Sequence, residues 1–485
     1  MTSTAPVDVV VVGAGPVGLL LAGALARAGL DVIVLESGDG LVAESRASTL
    51  QARAMEILAD HCVPRLDAVP RLTHGHYAGL PLDLTRVDSA WSGQWKLAQP
   101  ELVRRLAEWS QAQGARLSFA SEVVDVHSDE TSAAVKLADG SAVHARYVVG
   151  CDGVRSTVAQ CLGIQYDRRQ ATRRMVRCDL VDVSLSPRRF ERHGTTVLTV
   201  GRISPEVTRV MACDETWSGT DTLTFDRLRD MWSALTGEHL VGPPRWFEHF
   251  DNRSCVARQW RVGRVLLAGD AAHQFLPVGG ESLNSGLIDA DNLVWKLVQS
   301  LRSGTDHLLD NYARERRSAA HASQESVQSQ DDLIFSGRPE DRRRRSALAH
   351  TIADDEATHD RLAAAVSGTS VSYPNSTPAV GPRLSATELR RRGLDPDLVR
   401  RLRQQGRGLL ATRSPSEWTD RRESTVAVLE RRPGSAAAHA SDEDFLLRPD
   451  GHLVSSSVSQ LPLASALDYW FPVHAAPAMS AWETP

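Results

Sequence analysis

Hydrophobic residues fall into short β-branched runs that alternate with longer stretches of helical spacing. Val7 to Val12 is such a run, broken only by Asp8, and leads at once into Gly13-Ala-Gly15-Pro16-Val-Gly18 and an apolar stretch ending at Ala28-Gly29. This order predicts a strand, a tight turn and a helix. A second strand spans Asp31 to Glu36, and Tyr147 to Gly150 predicts another that runs into Asp152-Gly153-Val-Arg155. Gly263 to Gly269 is a further buried strand, closed by Asp270. Leu283, Leu287, Leu293, Val294, Leu297 and Leu301 recur at helical spacing up to Gly304, which predicts a buried helix. Tyr312 to about Asp332 reads as a polar helix, while 73–97 and 172–261 read mainly as short strands with one helix near Phe225 to Leu235. From about residue 370 the chain turns rich in Ser, Pro and Arg.

The first strand, turn and helix carry a chemistry. Gly13 permits the turn, Gly15 lets a pyrophosphate approach the backbone, and Gly18 lets the helix pack closely on the strand. Pro16 suits a first helical turn, where its missing N–H costs nothing. Glu36 stands at the end of the second strand, where a carboxylate meets a ribose 2′-hydroxyl. A glycine pattern alone is also what an ordinary tight turn contains, but the flanking strand, helix and Glu36 favour a dinucleotide. A carboxylate at this place, rather than an arginine, selects an unphosphorylated ribose, as in FAD or NAD. Asp152 and Asp270 each leave a strand beside a helix start, where a carboxylate binds polyol hydroxyls and the helix end supports negative charge.

Composition narrows the rest. At 485 residues the chain has room for roughly three compact units. Its 42% hydrophobic and 24% charged residues describe a globular protein, and a formal charge of −5 gives no reason to bind nucleic acid or an acidic membrane. Lys96, Lys136 and Lys296 are the only lysines, and Arg342 to Arg345 reads as a solvated helix face. Six cysteines with no CxxC indicate neither a zinc site nor a disulfide framework and fit a reducing cytoplasm. The glycines interrupt the apolar start, so no export or membrane segment is expected. His74-Gly-His76 lacks the carboxylates or cysteines a metal needs, and no metal is expected. His273 is expected to pack near the cofactor, without a catalytic role.

The glycine turn with Glu36, the Asp152-Gly153 motif and the Gly269-Asp270 motif, in this order, resemble the class A flavoprotein monooxygenases related to para-hydroxybenzoate hydroxylase. The branch that hydroxylates aromatic polyketides is most similar, over about residues 6 to 320. The resemblance implies an α/β architecture: a Rossmann-like FAD-binding fold of the glutathione-reductase type, with three layers, an inserted β-sheet substrate domain and a reduced thioredoxin-like C-terminal domain. The implied division is 1–72, 98–171 and 262–370 for FAD, 73–97 and 172–261 for substrate, and 371–485 for the third domain. The segment Phe445 to Val454 resembles the closing motif of that last domain, here without a redox CxxC.

By the same resemblance FAD is held by Gly13, Gly15, Pro16, Gly18, Glu36, Arg46, Gln99, Asp152 and Asp270, and its ring by Pro277, Gly279, Gly280, Ser282, Leu283 and Asn284. Arg155 belongs with Asp152 to a motif that also serves the nicotinamide nucleotide. NADPH or NADH is the implied co-substrate. The implied reaction hydroxylates a large aromatic or polyketide natural-product intermediate through a flavin hydroperoxide, in a monomer or homodimer. No catalytic acid or base is nominated. Trp91, Trp95, Trp217, Trp232 and Trp246 are candidates for the cavity wall, as is Glu281, although more than half of the aromatic residues here are expected in the core.

One departure matters. The family reads Gly-Gly-Gln-Gly-Met/Leu-Asn where this chain reads Gly279-Gly280-Glu281-Ser282-Leu283-Asn284. Glu281 either points inward, where its carboxylate makes anionic reduced flavin harder to form, or turns to solvent and is neutral. The change keeps open a second function: the dialkyldecalin synthases of the same family retain FAD as a structural group and catalyse a [4+2] cyclisation without net redox change. A catalytically inactive flavin-fold binding protein is a third reading.

Overall fold

The computed structural model describes residues 6–41, 47–217, 222–415, 418, 424–430 and 443–472. Its centre is a parallel sheet in which Val7–Val12 lies between Val32–Leu35 and Ala142–Gly150. Arg116–Ser118 extends the sheet beyond Val32–Leu35, and Val265–Leu267 extends it beyond Ala142–Gly150. Both faces of the central strand are buried, as its almost unbroken valine run requires. An antiparallel hairpin, Val123–Ser128 and Ala133–Leu137, branches from Ala142–Gly150.

Three helices cover the sheet: Pro16–Arg27, Gln99–Ala112 and Glu281–Ser303. Glu281–Ser303 is buried from Asn284 almost to its end and stops at Gly304 in the left-handed conformation, as its leucine spacing predicts. The predicted polar helix is longer than its pattern, His307–Phe335, and part of its polar surface is buried. Glu315 and Arg316 are buried among partners far away in sequence.

Residues 174–251 form a five-stranded antiparallel sheet in which Arg174–Val181 lies between Val207–Asp214 and Trp246–Asp251. The helix Phe225–Thr236 lies over one face, where Trp232 is fully buried against Val176, Cys178 and Leu198. Near the C-terminus, Gly408–Thr412 pairs in parallel with Val426–Glu430 and antiparallel with Phe445–Leu447, which pairs with Leu453–Ser455.

This last sheet is bolted to the rest by buried charge. Arg448 donates to both carboxylate oxygens of Glu315, at 2.6 and 3.0 Å, and also pairs with Asp450. Lys296 reaches the same Glu315 at 2.7 Å, and all of these side chains are essentially inaccessible. Among the described residues no helix is long and apolar enough to cross a membrane.

Candidate active site

The parallel strands end together at the glycine turn, and a cavity of about 1200 Å³ opens there. Gly13 has a φ of +103°, and a Cβ on it would lie 2.5 Å from the Cys151 carbonyl oxygen. A Cβ on Gly18 would lie 2.1 Å from the Gly13 carbonyl oxygen, so only glycine lets the helix start this close to the turn. Gly15 differs. It lines the cavity, and no atom beyond its own residue and its chain neighbours lies within 4 Å of where its Cβ would be. The protein leaves that space beside bare backbone, which is what a diphosphate at a helix N-terminus needs.

Glu36 is held on the same rim. Its Oε2 accepts from Ala14 N–H at 2.8 Å and its Oε1 from Gly38 N–H at 2.9 Å. Gln99, at the start of its helix, lines the cavity and accepts from Ala47 N–H at 3.1 Å. Arg46 lies outside the described residues. Asp152 accepts from Val158 N–H through Oδ2, while its buried Oδ1 has no hydrogen-bond partner among the described residues. Burial raises its pKa above the usual carboxylate range. Asp152 lines the cavity, and a carboxylate oxygen without a protein partner there fits a hydroxyl-bearing ligand. Arg155 also lines the cavity.

Asp270 sits in the short turn Gly269–Ala271 with its side chain at the cavity. Asp289 fixes that turn from beneath, accepting from Gly269 N–H at 2.9 Å, His273 at 2.8 Å and Arg316 at 2.6 Å. His273 is fully buried, stacked between Trp260 and Phe275, so its place is structural.

Pro277, Ser282 and Leu283 line the cavity at the start of Glu281–Ser303. Gly279, Gly280 and Asn284 shape this segment without being on the wall. Asn284 donates to the Gly280 and Thr49 carbonyls and accepts from Gln51 N–H, and the Gln51 side chain donates to the Gly279 carbonyl. Glu281 is turned to Gln51 rather than to the cavity wall, and burial pushes its pKa up to about 7 against the opposing effects of Gln51 and His273.

None of the five candidate tryptophans is among the lining residues, for separate packing reasons. Trp232 belongs to the core under the antiparallel sheet, and Trp217 packs against that core. Trp91 and Trp95 pack edge to face at 5.1 Å, with the Trp95 Nε1–H donated to the Trp91 carbonyl. Trp246 is flanked by the guanidinium groups of Arg177 and Arg209. The far wall is formed instead by Arg177, Glu248 and Phe250. Arg177 pairs with Glu248 at 2.8 Å and lies over the Phe250 ring at 5.0 Å. The sequence carries no motif for this wall; strand alternation from Trp246 puts Glu248 and Phe250 on one face, but which face meets the cavity depends on the fold.

The site has counterparts. Residues 6–326 match the family model described as FAD binding domain. The chain is 33% identical to a rifampicin monooxygenase of Streptomyces venezuelae, covering 96% of this chain and 98% of that protein. It is 30% identical to a dialkyldecalin synthase of Streptomyces rugosporus, with the same coverage of both. Among solved structures, CabE, an aromatic hydroxylase from angucycline biosynthesis, is similar with a TM-score of 0.82 and 30% identity, covering 97% of this chain and 100% of that one.

Proposed function

Because the chain belongs to the FAD-binding family of flavoprotein monooxygenases, we propose that it hydroxylates a large aromatic or polyketide-type natural-product intermediate with NADPH or NADH as reductant. The observation that carries this reading is the continuity of one cavity from Gly13–Pro16 to Arg177, Glu248 and Phe250. A single volume gives a dinucleotide and a broad apolar ring system a shared boundary.

In this reading Gly15 and the N-terminus of Pro16–Arg27 take the FAD diphosphate, Glu36 the adenosine ribose, and Asp270 the polyol chain. Asp152 supplies its unpartnered oxygen to the same ligand. Bound FAD supplies the redox chemistry, accepting hydride and activating dioxygen for transfer to the ring. The chain's own work is to bind, orient and exclude water. The N-terminus of Glu281–Ser303 supports negative charge on the flavin ring, and Phe250, with Arg177 stacked over it, offers a flat surface for an aromatic substrate.

The domain division follows the same reading, with 1–72, 98–171 and 262–370 for FAD and 73–97 and 172–261 for substrate. A parallel strand pair joined edge to edge with an antiparallel hairpin supports reading 371–485 as a reduced thioredoxin-like unit.

A second reading, a redox-silent [4+2] cyclase, is favoured by the full-length likeness to a dialkyldecalin synthase and by Glu281 at the flavin-ring segment. Anaerobic stopped-flow mixing of the FAD-loaded protein with NADPH and NADH, with and without candidate polyketides, separates the two. Bleaching that accelerates with substrate supports the hydroxylase. Flavin that stays oxidised while a linear polyene becomes an isomer of equal mass replaces it with the cyclase.

A further inference from the structure

The lysines of this chain sit in three different environments. Lys136 is exposed on a hairpin strand, and Lys296 is inaccessible with Glu315 at 2.7 Å. Lys96 is half-buried, and among the described residues no carboxylate lies within ion-pair distance of it. Its ammonium donates to a neutral group, the Thr49 hydroxyl, at 2.6 Å. Burial and the neighbouring charges of Arg189 and Arg209 push its pKa down to about 8. Arg209 has an acid of its own, Asp179, at 2.7 and 2.9 Å. Arg189 forms no carboxylate ion pair among the described residues and is engaged with the Gly75 carbonyl at 3.1 Å. His76 beside them is held neutral, because burial, Arg189 and Lys96 push its pKa down to about 4. Lys96 and Arg189 are thus two neighbouring cations without an acid of their own.

They lie at the seam between the flavin-ring segment and the antiparallel sheet. Strand Gln94–Lys96 pairs with Thr49–Gln51, which sets Lys96 opposite Thr49. The Thr49 carbonyl accepts from the Asn284 side-chain amide at 3.1 Å, and that amide also donates to the Gly280 carbonyl at 2.8 Å, so only Thr49 and Asn284 separate Lys96 from the segment assigned to the flavin ring. Across the seam, register puts Arg209 opposite Asp179 and Arg177 opposite Glu248. Their face of the sheet is the one turned away from Val176, Cys178 and Val210, which pack under the helix Phe225–Thr236. That face carries the Arg177, Glu248 and Phe250 wall of the main cavity. His76 meets the edge strand Arg188–His193 through Phe190, with ring centroids 5.3 Å apart.

We propose that Lys96, with Arg189 beside it, binds an ionised hydroxyl of the substrate, so that the substrate is an aromatic or polyketide ring system bearing an acidic phenol or enol. The inference rests on the hydroxylase reading and names the substrate class of the same site. An ammonium withdrawn from water without a counter-charge destabilises the protein unless a ligand brings the anion. The cations that act on Lys96 both belong to the antiparallel sheet and neither to the FAD-binding segments, which gives the anion to the substrate rather than to reduced flavin. An ammonium is a compact charge that suits a single oxygen, whereas a carboxylate is matched by a guanidinium fork. The bound pair is ammonium and oxyanion: the hydroxyl proton passes to Lys96 where the amine is free, and to solvent where it is already charged.

The test is binding of 2-hydroxyanthraquinone, 2-methoxyanthraquinone and anthraquinone-2-carboxylate to FAD-loaded wild type, Lys96→Met and Arg189→Gln, with absorption reporting affinity and, for the first probe, ionisation. In mildly acid buffer wild type is expected to bind the hydroxy probe more tightly than the methoxy probe and with the red-shifted spectrum of its anion. Lys96→Met raises the dissociation constant of the hydroxy probe by about tenfold or more and returns the spectrum of the neutral form, Arg189→Gln weakens it less, and neither changes the methoxy probe. Flavin content checks the fold of both variants; should Lys96→Met lack flavin, the wild-type preference and Arg189→Gln decide. An anion spectrum that persists in Lys96→Met overturns the inference, and so does tighter binding of the carboxylate probe. A ligand-free Lys96→Met protein with a lowered flavin midpoint potential and unchanged probe affinity gives Lys96 to the flavin and also overturns it. Anaerobic mixing with NADPH and NADH separates this from the hydroxylase reading. A wild type that either nucleotide reduces but that does not favour the hydroxy probe loses the inference alone; one that ionises the probe but is reduced by neither keeps the Lys96 site and loses the hydroxylase.

Discussion

The Glu36 carboxylate accepts a hydrogen bond from the Ala14 backbone N–H at 2.8 Å, joining the end of the second strand to the middle of the glycine turn. Through Oε1 the same side chain holds Gly38 N–H at 2.9 Å. The residue assigned to the ribose is therefore also a brace that keeps the diphosphate turn in shape before any ligand arrives. Preorganisation of this kind lowers the ordering cost of binding. Glu36→Ala removes both roles and is expected to weaken FAD by at least tenfold, whereas Glu36→Gln keeps a carbonyl acceptor for one N–H and loses less. FAD dissociation constants for the two variants, from quenching of flavin fluorescence, check the order.

Gly15→Val and Gly18→Val are expected to fail in different ways. The Gly15 Cβ position is open, so the valine variant folds and loses FAD because the diphosphate can no longer approach the backbone. At Gly18 the Cβ would press on the Gly13 carbonyl at 2.1 Å, so that variant fails to accumulate as folded protein. Purification yield, far-ultraviolet circular dichroism and yellow colour separate the two outcomes. A yellow Gly15→Val protein would remove Gly15 from the cofactor site.

These elements were legible because their information is local. Strand, turn, helix and acidic strand end all fall between Val7 and Glu36, and the leucine spacing marks Glu281–Ser303 without tertiary help. The cavity wall at Arg177, Glu248 and Phe250 was not legible. Arg177 meets Glu248 across 71 positions of chain through strand register, and tryptophan, the residue type that drew attention there, went to the core because Trp232 lies on the covering helix and faces the sheet. The buried face of His307–Phe335 was hidden for the same reason: Glu315 is ordinary in sequence and becomes a core residue only because Arg448, 133 positions later, folds back onto it.

Asp289→Ala is expected to loosen the Asp270 turn and destabilise the fold together. Burial alone would raise the Asp289 pKa, but Arg316 and His273 outweigh it and hold it below the usual carboxylate range. Removing the carboxylate strands Arg316 in an inaccessible site, which costs about 3–5 kcal/mol. Urea unfolding with and without FAD measures both effects. A stability loss with no change in FAD affinity would confine Asp289 to the core.

Arg448→Met tests the C-terminal attachment. Glu315 and Asp450 share this guanidinium in a site closed to solvent, and its loss leaves Lys296 as their remaining buried cation nearby. Breaking such a pair by removing one partner costs on the order of 3–5 kcal/mol. Replacing Arg448 and Glu315 together by Met and Gln is expected to recover part of that loss, since it removes one buried carboxylate with its cation. Chemical denaturation of the single and double variants gives the coupling between the two units.

Glu281 carries a pH dependence whose sign follows from its environment. Burial lifts its pKa from 4.5 to about 7 in the folded chain, so the carboxyl is neutral when folded and ionised when unfolded across the intervening range. Its contribution to stability is therefore fully present below about pH 4.5 and lost as pH rises through about 7. Glu281→Gln is expected to flatten that decline. The same titration bears on the flavin ring, because above pH 7 an ionised carboxylate at the helix N-terminus opposes the negative charge of reduced flavin. At pH 8 the glutamine variant is expected to show a midpoint potential raised by on the order of 30 mV, about 1.4 kcal/mol for a two-electron couple, with little change at pH 5.5. Spectroelectrochemical titration of wild type and variant at both pH values decides it. An equal difference at the two values would mean that Glu281 acts through packing and not through its charge.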